Sequence, residues 1–134
     1  MEASPSLPPR RIGQIEILVR DVERATAFYR DVLGLPHLFS APPGLSFFRC
    51  GEVRVMLARP EGGERVAPSS ILYYAVDDLR AAHGDLVERG AEMVHEPHVI
   101  HRTETMELWM SFFRDGEGNV FGLMSEVTLP SGSR

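Results

Sequence analysis

One heptapeptide occurs twice. Ser46-Phe47-Phe48-Arg49-Cys50-Gly51-Glu52 returns as Ser111-Phe112-Phe113-Arg114-Asp115-Gly116-Glu117, changed at a single position. An apolar residue precedes each copy, Leu45 and Met110, and a short apolar strand pattern follows each, over 53–57 and 120–123. Chance is a poor explanation within 134 residues, so the chain reads as two versions of one structural unit.

The repeat extends upstream. Val19-x-Asp21-Val22-x-x-Ala25 matches Val76-x-Asp78-Leu79-x-x-Ala82. In the first copy Ile15, Ile17 and Val19 alternate with Gln14, Glu16 and Leu18, the period of a strand with one apolar face. Asp21 suits a helix N-cap. Ala25, Phe28, Tyr29 and Val32 then follow at helical spacing, and Gly34 suits the helix stop. A short strand is expected over 35–40, a turn at Ala41-Pro42-Pro43-Gly44, and a hairpin over 45–49 and 53–58. The second copy restarts with a strand over 71–76, a helix capped by Asp77 or Asp78 and ended by Gly90, and a short strand over 91–95. A long polar connection over 98–106 leads to a hairpin turned by Asp115-Gly116-Glu117-Gly118. The divisions are a disordered lead (1–11), a first βαβββ module (12–61), a linker (62–69), a second βαβββ module (70–127) and a tail (128–134), one domain overall.

A helix followed by three tightly turned strands gives a mostly antiparallel, mixed sheet with the helix on one face. The expected fold class is therefore α+β: two βαβββ modules forming a curled mixed sheet, a half-barrel around a shared cleft, with both helices on the outer face. Such a cleft is a natural ligand site.

Composition excludes several function classes. Net charge is −5, and all 14 basic residues are arginines without a run or stripe, so neither nucleic acid nor an anionic membrane is expected as partner. No stretch of about 18 apolar residues suggests a membrane span. The one cysteine, Cys50, excludes an internal disulfide. The lead lacks the apolar centre of a signal peptide, so a cytoplasmic location is the default expectation.

These residues carry a resemblance. Val19-Arg20-Asp21 with Ala25, Phe28-Tyr29-Arg30-Asp31-Val32-Leu33-Gly34-Leu35, and Phe113-Arg114-Asp115-Gly116-Glu117-Gly118-Asn119 are similar to the motifs of the vicinal oxygen chelate superfamily. That group includes glyoxalase I, methylmalonyl-CoA epimerase, extradiol dioxygenases and bleomycin-resistance proteins. The resemblance covers residues 12–127 and implies paired βαβββ modules. Metal-dependent members hold a divalent ion with ligands on the first and last strands of each module. Carried onto this chain, those positions are Gln14, Met56, Ile71 and Gly122. Ile71 and Gly122 have no donor atom, and a thioether is a weak ligand for such ions. No metal and no cofactor are therefore expected.

The cleft face is expected to bind ligand through Gln14, Glu16, Arg54, Met56, Ile71, Tyr73, Trp109, Gly122 and Met124. Glu16 and Arg54 would orient the ligand, or else form an ion pair or a subunit contact. Trp109 lacks an aromatic counterpart in the first module and is the candidate ligand-facing ring. His95, His98 and His101 form either a solvated polar loop or a separate acid–base or metal site. Candidate catalytic groups are Glu16, Tyr73, His98 and His101. The resemblance implies a metal-free binder of a small organic molecule, like the bleomycin-resistance branch, and a homodimer. The alternatives are an enzyme of the same superfamily, a lyase, isomerase or dioxygenase-like protein, or a subunit whose own side chains fill the cleft.

Overall fold

The structure, a computed structural model, describes residues 11–60 and 70–130. The linker at 62–69, nearly all of the lead and the last four residues of the tail lie outside the described residues. Each module runs strand, helix, three strands. The first contains β1 (Gln14–Leu18), α1 (Val22–Ala27), β2 (His37–Ala41), β3 (Leu45–Cys50) and β4 (Val53–Ala58). The second contains β5 (Leu72–Ala75), α2 (Leu79–Glu88), β6 (Glu92–Arg102), β7 (Met106–Arg114) and β8 (Val120–Thr128). Strand β8 thus ends one residue into the stretch read as tail. No helix among the described residues is long and apolar enough to cross a membrane.

The helix signals act as chemistry requires. The Asp21 carboxylate accepts from the Arg24 N–H at 3.0 Å, and Asp78 accepts from Ala81 N–H at 3.1 Å, so Asp78 rather than Asp77 is the cap. Gly34 and Gly90 stop the helices at φ of 88° and 91°, where a Cβ would be strained. One expectation is refined. The first helix widens into a π-helical turn over Phe28–Val32. That wide turn accompanies two successive aromatic residues, Phe28 and Tyr29, that both pack against buried core side chains.

The two sheets are ordered β1-β4-β3-β2 and β5-β8-β7-β6. In each, the first strand pairs parallel with the last and the remaining pairs are antiparallel. The expected curled half-barrel is corrected here. There are two separate open sheets, neither closed nor strongly curled, and no described strand of one belongs to the other. The physical reason lies in where the modules adhere, which is on their helix side. Phe28, Val32 and Leu33 of the first module pack on the core of Leu79, Leu86, Phe113, Phe121 and Leu123. Leu72 in turn packs on the core of Ile17, Val19, Tyr29, Phe48, Val55 and Leu57.

A polar clasp accompanies this apolar seam. The buried Tyr29 hydroxyl donates to Asp115 Oδ2 at 2.7 Å. Asp115 also accepts from the backbone N–H of Glu117 and Asn119 and from the Asn119 amide. That amide donates across to the Leu18 carbonyl at 3.2 Å. The Glu117 carboxylate accepts from the N–H groups of Arg20 and Asp21 and from the Arg24 guanidinium. A carboxylate of the second module thus ties down the two residues that lead into α1, beside a helix N-terminus whose dipole favours negative charge. Buried carboxylates are costly unless paired this fully. The turn at 115–119 is therefore a fastener between modules.

One further expectation is overturned. The stretch read as a long polar connection is mostly strand: β6 continues to Arg102. Its pairing with β7 slips three times, between Met93 and His95, His95 and His98, and Val99 and His101. Each slip is a bulge that adds one residue to β6. The side-chain alternation of a regular strand is lost in the sequence as a result.

Candidate functional site

Strand alternation gives each sheet a helix-covered face and an open face. In the first sheet, Ile17, Phe48, Val55 and Leu57 belong to the core, so their neighbours Gln14, Glu16, Phe47, Arg49, Arg54 and Met56 take the open face. Phe39 pairs opposite Phe47 and joins them. In the second sheet, Phe113, Phe121 and Leu123 face α2, which leaves Tyr73, Met110, Phe112, Gly122 and Met124 open.

Contacts within each group are specific. Arg54 Nε donates to Gln14 Oε1 at 2.6 Å, and the Gln14 amide lies 3.9 Å from Met56 Sδ. The Arg54 guanidinium stands 5.1 Å from the Phe47 ring centre, and Phe47 stacks on Phe39 at 4.5 Å. A depression of about 520 Å³ here is lined by Gly13, Leu38, Phe39, Arg49, Glu52 and Arg54. On the second sheet the Tyr73 ring lies over Gly122, and a Cβ at Gly122 would meet Tyr73 Cδ2 at 2.9 Å. Tyr73 and Phe112 meet edge to face at 5.8 Å.

The sequence-derived candidates divide as follows. Gln14, Glu16, Arg54 and Met56 gather on the first sheet. Tyr73, Gly122 and Met124 gather on the second, with Ile71 just before β5. Glu16 is exposed beside Met56 and makes no ion pair among the described residues, so the salt-bridge alternative for Glu16 and Arg54 is not what forms. Trp109 is corrected. It faces α2 rather than a ligand: it packs on the second core, Arg80 of α2 sits 5.1 Å from its ring, and its indole donates to Glu107. Alternation explains this, since Trp109 shares parity with the buried Ser111 and Phe113.

The histidines lie on a strand rather than in a loop. His95, His98 and His101 pair opposite Phe112, Met110 and Leu108, so the bulges set all three on the open face of the second sheet. The His95 and His98 rings are 4.2 Å apart, and His98 Nδ1 lies 2.7 Å from the Glu96 carbonyl oxygen. A carbonyl can only accept, so this contact favours a proton on Nδ1.

The chelating positions implied by the resemblance do not fit a divalent ion. Gln14 Oε1 already accepts from Arg54, Met56 offers only sulfur, Ile71 has no donor, and the space at Gly122 holds the Tyr73 ring. Among the described residues, no three His, Cys, Asp or Glu side chains gather as a cation would require. Burial pushes the Cys50 thiol up, which disfavours its thiolate form. Burial pushes His83 down, and its ring leans against Phe113 at 4.8 Å on the helix side, away from both open faces.

Sequence reasoning missed Arg49 and Phe39. The signal for Arg49 was present: the hairpin at 50–53 makes Arg49 and Arg54 direct cross-strand partners.

Two βαβββ modules fastened on their helix side define the class of protein. The chain belongs to the Glyoxalase/Bleomycin resistance protein/Dioxygenase superfamily, whose family model matches residues 11–123. It is 28% identical over 123 residues to the uncharacterized protein YraH of Bacillus subtilis, covering 82% of this chain and 94% of that one. Among solved structures, it resembles a superfamily member from Sphaerobacter thermophilus with a TM-score of 0.73 at 22% identity, covering 87% of this chain and 97% of that one. It also resembles lactoylglutathione lyase from Agrobacterium tumefaciens, with a TM-score of 0.69 at 22% identity and coverage of 88% and 95%. These structural likenesses concern the fold.

Proposed function

We propose that this protein binds a small, largely apolar organic molecule on the open faces of its sheets, without a metal ion, in the manner of the bleomycin-resistance branch. The observation that carries the reading is the Tyr73 ring in the space at Gly122. Where relatives with metal chemistry need a donor, this chain presents an aromatic surface. Phe39 and Tyr73 are 48% and 45% exposed, so apolar surface is available to a ligand rather than spent on the core. We also place the protein in the cytoplasm as a homodimer. The outer strands β2 and β6 have an edge without a partner strand among the described residues, and Met93, Val94 and Ile100 of β6 are exposed, which supports pairing with a second copy.

The test has two arms. Elemental analysis of protein purified without added metal is expected to find less than about a tenth of an equivalent of any divalent ion. Naphthamide, a neutral planar aromatic, is expected to raise the melting temperature in a concentration-dependent way. A stoichiometric ion lost together with ligand binding, or no stabilisation by any apolar compound, overturns the reading.

A further inference from the structure

The two copies of the repeat treat one arginine differently. In the second copy Arg114 lies opposite Val120 and pairs with Glu92 at 3.0 Å. In the first copy the equivalent Arg49 lies opposite a second arginine, Arg54. No carboxylate of the described residues is within ion-pair distance of either. Like charges placed directly across a sheet destabilise it, so this arrangement costs the fold something that its counterpart avoids.

The surroundings suit an anion attached to a flat apolar body. Both arginines are exposed and line the same depression as Leu38 and Phe39. Gln14 holds Arg54 by its Nε, which leaves both Nη groups free of protein partners among the described residues. The guanidinium is further aligned by Phe47, itself stacked on Phe39. A fork already fixed in direction loses little freedom when it grips a carboxylate. The half-exposed face of Phe39 is the next surface that a planar ligand would meet. Glu52 is the one acidic group among the described residues that line this depression, and it opposes an anion rather than neutralising the pair.

We infer that the ligand is a planar aromatic acid, its carboxylate held by Arg49 and Arg54 and its ring laid against Phe39. This rests on the small-molecule reading proposed above and names its ligand class. The two arginines are positioned for binding; no bond is made or broken.

The experiment compares naphthoate with naphthamide, which differ in charge and hardly in shape. Binding is followed by calorimetry and by amide chemical shifts of the labelled protein. Naphthoate is expected to bind at least about tenfold more tightly, with shifts at residues 38–39, 49 and 52–54. Added salt should weaken naphthoate and leave naphthamide unchanged. The double variant Arg49→Gln, Arg54→Gln should erase the preference, and Glu52→Gln should strengthen it. Because both arginines are exposed, salt dependence with the unaltered chain provides the same information should the variant misfold. Equal binding of the two compounds overturns the inference and leaves the small-molecule reading standing. Naphthoate shifts on another surface, or no naphthoate binding, also overturn it, and only loss of all apolar ligands removes the broader reading as well.

Discussion

At the scale of single residues, the repeat acts as an internal control, because the same amino acid meets two environments. Ser46 and Ser111 occupy equivalent places and both are fully buried. The Ser46 hydroxyl lies 3.2 Å from His37 Nε2 and 3.4 Å from the Ser40 hydroxyl, whereas the Ser111 hydroxyl has no partner among the described residues. A buried, unbonded hydroxyl costs free energy that a methyl does not. Ser111→Ala is therefore expected to stabilise by about 1 kcal/mol, and Ser46→Ala to destabilise by a similar amount. Urea unfolding of the two variants checks the pair, and equal effects would contradict the assignment. Tyr29 gives a pH signature. Burial, and then the neighbouring Asp115 charge, raise its hydroxyl well above the ordinary tyrosine range. The unfolded chain releases that proton near pH 10 and the folded chain does not. The contribution is complete below that pH and is lost as pH climbs beyond it. Stability should fall by about 1.4 kcal/mol per pH unit for this one group. Tyr29→Phe should flatten that slope in denaturation curves above about pH 10, the free tyrosine value, while costing stability at neutral pH because Asp115 loses a donor.

At the scale of elements, the parts that were legible are those whose signal is local. Asp21 and Gly34, and Asp78 and Gly90, bracket helices because a cap and a left-handed stop act within one turn. The open-face positions Gln14, Glu16, Arg54 and Met56 followed from strict alternation in β1 and β4, which pair without slipping. Strand β6 was not legible because three bulges break its period, so His95, His98 and His101 looked like residues of a loop. Trp109 was misplaced for a different reason: its lack of a counterpart was weighed above the parity of its own strand. The bulges permit a direct check. Pro97 lies in the extra length between His95 and His98, and proline has no N–H to give to a ladder. Deleting Pro97 should remove the slip between His95 and His98, leave the other two, and keep the fold, with a loss of less than about 1 kcal/mol. Deleting Ser111 from β7 should unfold the protein, since it would turn Phe112 inward and Phe113 outward along an unbulged pairing with β8. Circular dichroism and thermal melts separate these outcomes, and an unfolded Pro97 deletion would show that the extra residue is structurally required.

At the scale of the whole molecule, the repeat announced two modules but contained no information on how they meet. Equivalent sequences give equivalent modules. Their arrangement depends instead on what differs between the copies: Asp115 where the first copy has Cys50, the two extra residues Gly118 and Asn119, and the aromatic pair Phe28 and Tyr29. These differences build a one-sided fastener on the helix side, which is why the expected half-barrel gives way to two open sheets. The same asymmetry makes the modules interdependent. A fragment of residues 11–60 would expose Phe28, Val32 and Leu33, which the second core covers, at about 1.5–3 kcal/mol for each side chain fully uncovered. It would also leave Tyr29 without Asp115 and the α1 terminus without Glu117. Against a total stability of about 5–15 kcal/mol for an intact domain, those losses are enough to abolish folding. The fragment alone is therefore expected to show no cooperative melt. Mixed with a fragment of residues 70–130, it should regain native circular dichroism with a midpoint that rises with concentration, as association coupled to folding requires. Glu117→Gln in the second fragment should weaken that association, because a neutral amide replaces the charged acceptor of the Arg24 guanidinium and of the Arg20 and Asp21 N–H groups. Independent melting of the 11–60 fragment would show instead that each module completes its own core and that the clasp only orients them.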